Sequence, residues 1–149
     1  MTRFEAWAAE NGVPIEIRRF PAGTRTAAEA ADAIGCDVDE IVKSLVFSAG
    51  GTPLIALVSG GKQLDPERLA AFAGGEVGKA DAALVREATG YSIGGVPPFG
   101  HATKLPVYVD RDLLRFETVW AAAGTPDSVF AITPELLVRL SGGTVADLS

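Results

Sequence analysis

One cysteine, one histidine and one methionine occur in 149 residues, and each scarcity removes a class of chemistry. A lone Cys36 permits no intramolecular disulfide and fits a reducing compartment, so a cytoplasmic protein is expected. One cysteine, one histidine and scattered acids compose no zinc set, so neither metal nor cofactor is expected. Ser44 and Cys36 have no sequence neighbour that would activate a nucleophile, which argues against a covalent mechanism. No apolar run reaches membrane-spanning length, and "MTRFEAWAAENG" carries two acids and no long apolar core, so it does not read as a signal peptide. Bases are in the minority too: 13 Lys and Arg against 19 Asp and Glu give a net charge of −6. That argues against indiscriminate nucleic-acid binding, which depends on phosphate neutralisation. It leaves room for a small basic mouth on an acidic body, because fields act locally.

What is present is a globular composition, 48% hydrophobic and 21% charged, of a size suited to one domain over 1–149. Seventeen glycines and nine prolines predict short elements and tight turns. Helical spacing is seen in residues 3–11, in "TAAEAADAIG" with Thr26 and Glu29 as a capping box, in "DPERLAAFAGG", in "ADAALVREATG" and in "TPELLVRLSGG". "VPIEIRRF" alternates from Ile15 with Glu16 and Arg18 on the wet side. "EIVKSLVF" with "PLIALVSG", and "TVWAAAGT" with "SVFAIT", read as hairpins, and "LPVYVD" as a strand before a short turn at "RDLLRF". The sum is an α+β domain, with short helices flanking a mixed, mostly antiparallel central sheet.

Two places could carry chemistry. Lys43 shares a strand face with Ile41, Leu45 and Phe47, opposite Val42, Ser44 and Val46, so both faces are mostly apolar. An ammonium there either snorkels to the sheet rim or is held in a pocket for a substrate carbonyl, phosphate or carboxylate. The stretch "YSIGGVPPFGH" at 91–101 joins residues that free the backbone to residues that fix it, and ends on the only histidine. His101 could act as a general base, although no acid adjoins it in sequence to orient the ring, and a structural role is the commoner one. Asp65 and Asp81 are read as helix caps, and Trp7 and Trp120 as core.

The pair "IVKSLVF" and "GYSIGGVPPFGH" resembles the YbaK/EbsC family of aminoacyl-tRNA deacylases, which includes ProXp-type trans-editing proteins and the editing insertion of bacterial prolyl-tRNA synthetases. The likeness runs along essentially the whole chain, and Gly94 and Pro98 meet a Gly-x-x-x-Pro loop. It implies a YbaK-like α+β fold and hydrolysis of the ester joining a wrong amino acid to a tRNA 3′ end, with assistance from the ribose 2′-hydroxyl. By position it implies catalytic roles for Lys43, Gly94 and Gly95, and substrate contacts from Ser44, Val96, Pro97, Pro98, Gly100 and His101. The implied partners are a charged tRNA, foremost tRNA(Pro) bearing a small wrong amino acid, and prolyl-tRNA synthetase. A basic rim from Arg18, Arg19, Arg25, Lys62, Lys79 and Lys104 is expected to meet the RNA. The alternatives are a non-catalytic module binding a nucleotide or tRNA 3′ end in the same pocket, and a hydrolase of small acyl or aminoacyl esters.

Overall fold

Side-chain oxygens mark where the helices begin. Thr2, Thr26, Asp65, Asp81 and Thr133 each accept a backbone N–H of the first turn, which opens α1 (Arg3–Glu10), α2 (Ala27–Ile34), α3 (Pro66–Ala73), α4 (Ala82–Thr89) and α5 (Pro134–Ser141). At Thr26 the hydroxyl also donates to the Glu29 carboxylate at 3.1 Å. The computed structural model describes residues 2–20 and 26–149, so the "PAGTR" segment, with Arg25, lies outside the described residues.

The strands are β1 (Ile17–Arg19), β2 (Val42–Ala49), β3 (Thr52–Ser59), β4 (Val77–Lys79), β5 (Val107–Asp110), β6 (Val119–Ala122), β7 (Ser128–Ile132) and β8 (Thr144–Ala146). Both expected hairpins form: Lys43 pairs with Val58 in β2–β3, and Trp120 pairs with Ala131 in β6–β7. The expected central sheet is divided. A five-stranded sheet has the order β4-β2-β3-β5-β8, and a three-stranded antiparallel sheet the order β1-β7-β6. In the larger sheet β3–β5 and β5–β8 are parallel and the other pairs antiparallel. Strand β1 begins two residues later than the alternation at Ile15 suggested. Two three-residue strands, β4 and β8, were not foreseen, because "VGK" and "TVA" are too short to show a period and form only as additions to existing edges.

Alternation then builds the layers. Val42, Val46, Ile55 and Leu57 join Val119, Ala121, Phe130 and Ile132 in one core cluster, so inner faces of both sheets share it. Phe47, Leu54, Ala56 and Val58, on the opposite face of the larger sheet, pack with Leu69 of α3. Phe4, Trp7, Phe99 and Phe130 form a stacked aromatic group that ties α1 and the glycine loop into the main core.

Candidate active site

The site originates in a gap. Strand β2 touches the small sheet through a single parallel bridge, Ile41 to Trp120, and receives β4 only at residues 47–49. Between these contacts its outer edge has no strand partner among the described residues. The Gly60 N–H donates to the Ile41 carbonyl on the β3 side, whereas the Ala80 N–H donates to the Val46 carbonyl on the other. Antiparallel parity therefore turns the Ser44 N–H and C=O toward the open edge.

A cleft of about 310 Å³ lies along this edge. Lys43, Ser44, Gly94, Val96, Trp120 and Ser128 are among its walls. A neighbouring cavity of about 240 Å³ shares Ser44, Ile93, Gly94 and Val96 with it and is closed by Val46, Val85 and Ala80, with Lys79 at its boundary. Ile93, 60% exposed, belongs to the walls of both.

Lys43 combines the two expectations for it. It lines the cleft, yet its ammonium reaches the turn after β3 and donates to the Lys62 carbonyl at 2.5 Å. No carboxylate among the described residues pairs with it, and burial alone pushes its pKa down. An ammonium has three N–H donors, so one is occupied and two remain for a ligand.

Each glycine of the loop has its own reason. Gly94 has φ of +90°, a conformation other residues avoid. Gly95 does not, but a Cβ there would stand 3.0 Å from the Thr125 Cα and 3.2 Å from the Gly124 carbonyl carbon, so the 124–125 backbone leaves no room. Gly100 combines φ of +77° with contact against the Trp7 ring. The Gly95 N–H closes a turn onto the Ser92 carbonyl at 3.0 Å. The N–H groups of Gly94 and Val96, both cleft residues, have no acceptor among the described residues. For a buried residue such as Val96 an orphan donor is costly.

Behind the cleft, two side chains hold loop carbonyls. His101 Nε2 donates to the Pro97 carbonyl at 2.7 Å, and the Tyr91 hydroxyl to the Gly100 carbonyl at 2.9 Å. Since a carbonyl only accepts, Nε2 carries the proton. Burial holds the His101 pKa below the usual histidine value although the Pro97 bond opposes it, and burial raises Tyr91 to about 12. Gly95, Pro97, Pro98, Gly100 and His101 thus stand outside the walls of both cavities, whereas Lys43, Ser44, Gly94 and Val96 form them.

The sequence from residue 21 to residue 140 matches the model of the aminoacyl-tRNA editing domain. The chain belongs to that family. It is 35% identical over 141 residues to the uncharacterised protein YwhH of Bacillus subtilis (strain 168), covering 94% of this chain and 87% of that one. It is 26% identical over 128 residues to EbsC of Enterococcus faecalis (strain ATCC 700802 / V583), provisionally named a Cys-tRNA(Pro)/Cys-tRNA(Cys) deacylase, covering 83% and 77%. A crystal structure described as a candidate trans-editing enzyme for prolyl-tRNA synthetase superposes with a TM-score of 0.94 at 46% identity, covering 99% of this chain and 94% of that one. The resemblance and the α+β fold read from the sequence therefore hold.

One wall of the editing-domain cleft escaped the sequence reading. Trp7 is in the aromatic core as expected, but Trp120 lines the cleft and carries the Arg18 guanidinium 5.4 Å from its ring centroid. The signal existed. In "TVWAAAGT" the inward residues are Val119, Ala121 and Ala123, which places Trp120 on the other face. The expected basic rim is partly neutralised, since Arg19 pairs with Glu5 at 2.8 Å and Lys62 with Asp112 at 3.6 Å.

Proposed function

We propose that this editing-domain protein is a deacylase acting in trans on aminoacyl-tRNA, foremost tRNA(Pro) carrying a small wrong amino acid. The observation that carries the reading is that one cleft is lined both by Lys43, whose ammonium pairs with no carboxylate among the described residues, and by Gly94 and Val96, whose backbone N–H groups have no acceptor among them. An aminoacyl ester is already activated. Its hydrolysis needs a placed water and stabilisation of the oxyanion that forms on the carbonyl. The Gly94 and Val96 N–H groups supply donors for that charge. Lys43 supplies two more N–H groups for the carbonyl or a phosphate oxygen. Water adds to the carbonyl carbon, the bond to the ribose oxygen breaks, and that oxygen leaves with the electron pair and takes a proton. The amino acid departs as its carboxylate.

The other residues act by shape. Ser44 offers its edge backbone and hydroxyl to the aminoacyl group, and the cavity closed by Val46, Val85 and Ala80 suits a short apolar side chain. Pro97, Pro98, Gly100, Gly95 and His101 fix the loop's path rather than touch the substrate. The names of EbsC and of the trans-editing neighbour support tRNA(Pro) as carrier and prolyl-tRNA synthetase as working partner.

The test is a deacylation panel of Ala-, Ser-, Thr-, Cys- and 2-aminobutyryl-tRNA(Pro). At least one ester should be lost much faster than in buffer, and Lys43→Ala should abolish the difference. If no ester is cleaved above the buffer rate while an aminoacyl-adenosine analogue binds saturably, the protein is a binding module instead.

A further inference from the structure

The outer face of the three-stranded sheet is divided between the cleft, which Trp120, Ala122 and Val129 line, and a second hollow. Register places Arg18 opposite Val129 and Trp120 opposite Ala131, with Ala122 also opposite Val129, so these five residues share one face. The reverse face carries Ile17, Phe130, Val119 and Ala121 and is packed in the core. On the outer face Pro14, Glu16, Arg18, Trp120 and Ala131 border an open hollow of about 730 Å³. Trp120 is therefore a wall common to this hollow and to the cleft that holds Lys43 and Gly94. The Arg18 guanidinium lies between two rings, 5.4 Å from the centroid of Trp120 and 5.9 Å from that of Phe20, and no carboxylate of the described residues forms an ion pair with it. Its neighbour Arg19, on the opposite parity, is tied to Glu5.

We propose that this face is a stacking platform for single-stranded RNA, on which Trp120 and Arg18 hold the unpaired nucleotides that precede the terminal, ester-bearing one. The inference rests on the deacylase reading for the identity of the strand. Its physical basis is separate. A nucleotide seated in the cleft has a chain attached, and that chain must leave across the rim. At the Trp120 rim it meets an aromatic surface and a cation with a planar head, the two groups that bind unpaired bases without reading their sequence. A duplex offers no free base faces to such a surface. Glu16 borders the same hollow, so stacking rather than accumulated positive charge carries the contact.

The experiment titrates a short, uncharged single-stranded RNA ending in CCA into the protein, followed by the anisotropy of a 5′ label and by tryptophan quenching. The wild type should bind saturably, and the same strand annealed into a blunt duplex should bind far more weakly. Trp120→Ala should weaken binding about tenfold or more, and Trp120→Phe should keep most of it. Because Trp120 also packs against α2, Arg18→Gln serves as the exposed variant. It should weaken binding severalfold and reduce the salt slope by about one unit. In turnover both variants should lower the ratio of the rate on charged tRNA to the rate on a small aminoacyl ester, mainly through KM. No saturable binding by the wild type, or unchanged binding by both Trp120→Ala and Arg18→Gln, overturns the platform. The two readings fail separately. Ester cleavage without strand binding leaves the deacylase and removes the platform, and strand binding lost in both variants without any cleavage does the reverse.

Discussion

At the scale of single residues, Lys43 and His101 invite opposite expectations. Lys43 forms one hydrogen bond, to the Lys62 carbonyl, and meets no carboxylate of the described chain, so its favourable contact is set against the loss of its hydration. Lys43→Met keeps the apolar stem and should change unfolding free energy by less than about 1 kcal/mol. Deacylation should nevertheless fall by about a hundredfold. Parallel denaturant melts and rate assays check this, and an equal loss in both would make the lysine structural. His101 behaves as a clamp. Its pKa is held down by burial, so the folded protein disfavours the imidazolium. Such a group contributes stability above its ordinary pKa of 6.5 that is lost as pH falls through the lowered folded value. Thermal melts below pH 6.5 should therefore show a loss of stability that His101→Gln, whose amide can still donate to the Pro97 carbonyl, removes. A deacylation rate that followed a histidine titration in the wild type and was flat in His101→Gln would instead make the ring a general base.

At the scale of elements, the glycine loop shows what a sequence can and cannot say. That 91–101 is a shaped loop is legible, because adjacent glycines followed by adjacent prolines leave few other conformations. Helix starts are legible for the same local reason: a threonine or aspartate oxygen caps its own first turn. Which loop residues face the cleft is not legible, because it depends on a remote segment. Gly94 lines the cleft, whereas Gly95 faces the 124–125 backbone, and nothing near residue 95 names that partner. The division into two sheets is hidden likewise, since strand pairing is long-range while alternation is local. Gly95→Ala tests the packing argument. Its Cβ would press on the Thr125 and Gly124 backbone, which cannot rotate away as a side chain would, so destabilisation of about 1–3 kcal/mol is expected. The loss of activity should exceed that of the clamp variant, because the turn bearing the Gly94 and Val96 donors must move. Gly75→Ala, with open space around it, is the control and should stay within about 0.5 kcal/mol of the wild type. If both alanines are equally harmless by melt and by rate, the close approach does not govern the site.

At the scale of the whole molecule, an acidic protein is expected to handle a polyanion. With a net charge of −6, the body repels RNA as a whole, and attraction has to come from few groups at short range. Those groups are fewer than the sequence suggested, since Arg19 and Lys62 already meet carboxylates. Lys43 lines the cleft and Arg18 the hollow that shares Trp120 with it, both without such partners among the described residues, and Lys79 borders the adjoining cavity. Neutralising about two or three phosphates of a single strand predicts a slope of log affinity against log salt near −2, far shallower than for a protein that grips a whole acceptor stem. KM for charged tRNA, measured from low to moderate salt, should follow that slope, while hydrolysis of a small aminoacyl ester should not respond. A steep dependence would mean that a broad basic surface, one the distribution of charge here does not provide, binds the tRNA. A flat dependence on both substrates would place the terminal nucleotide in the cleft by shape alone and leave Lys43 no phosphate to meet.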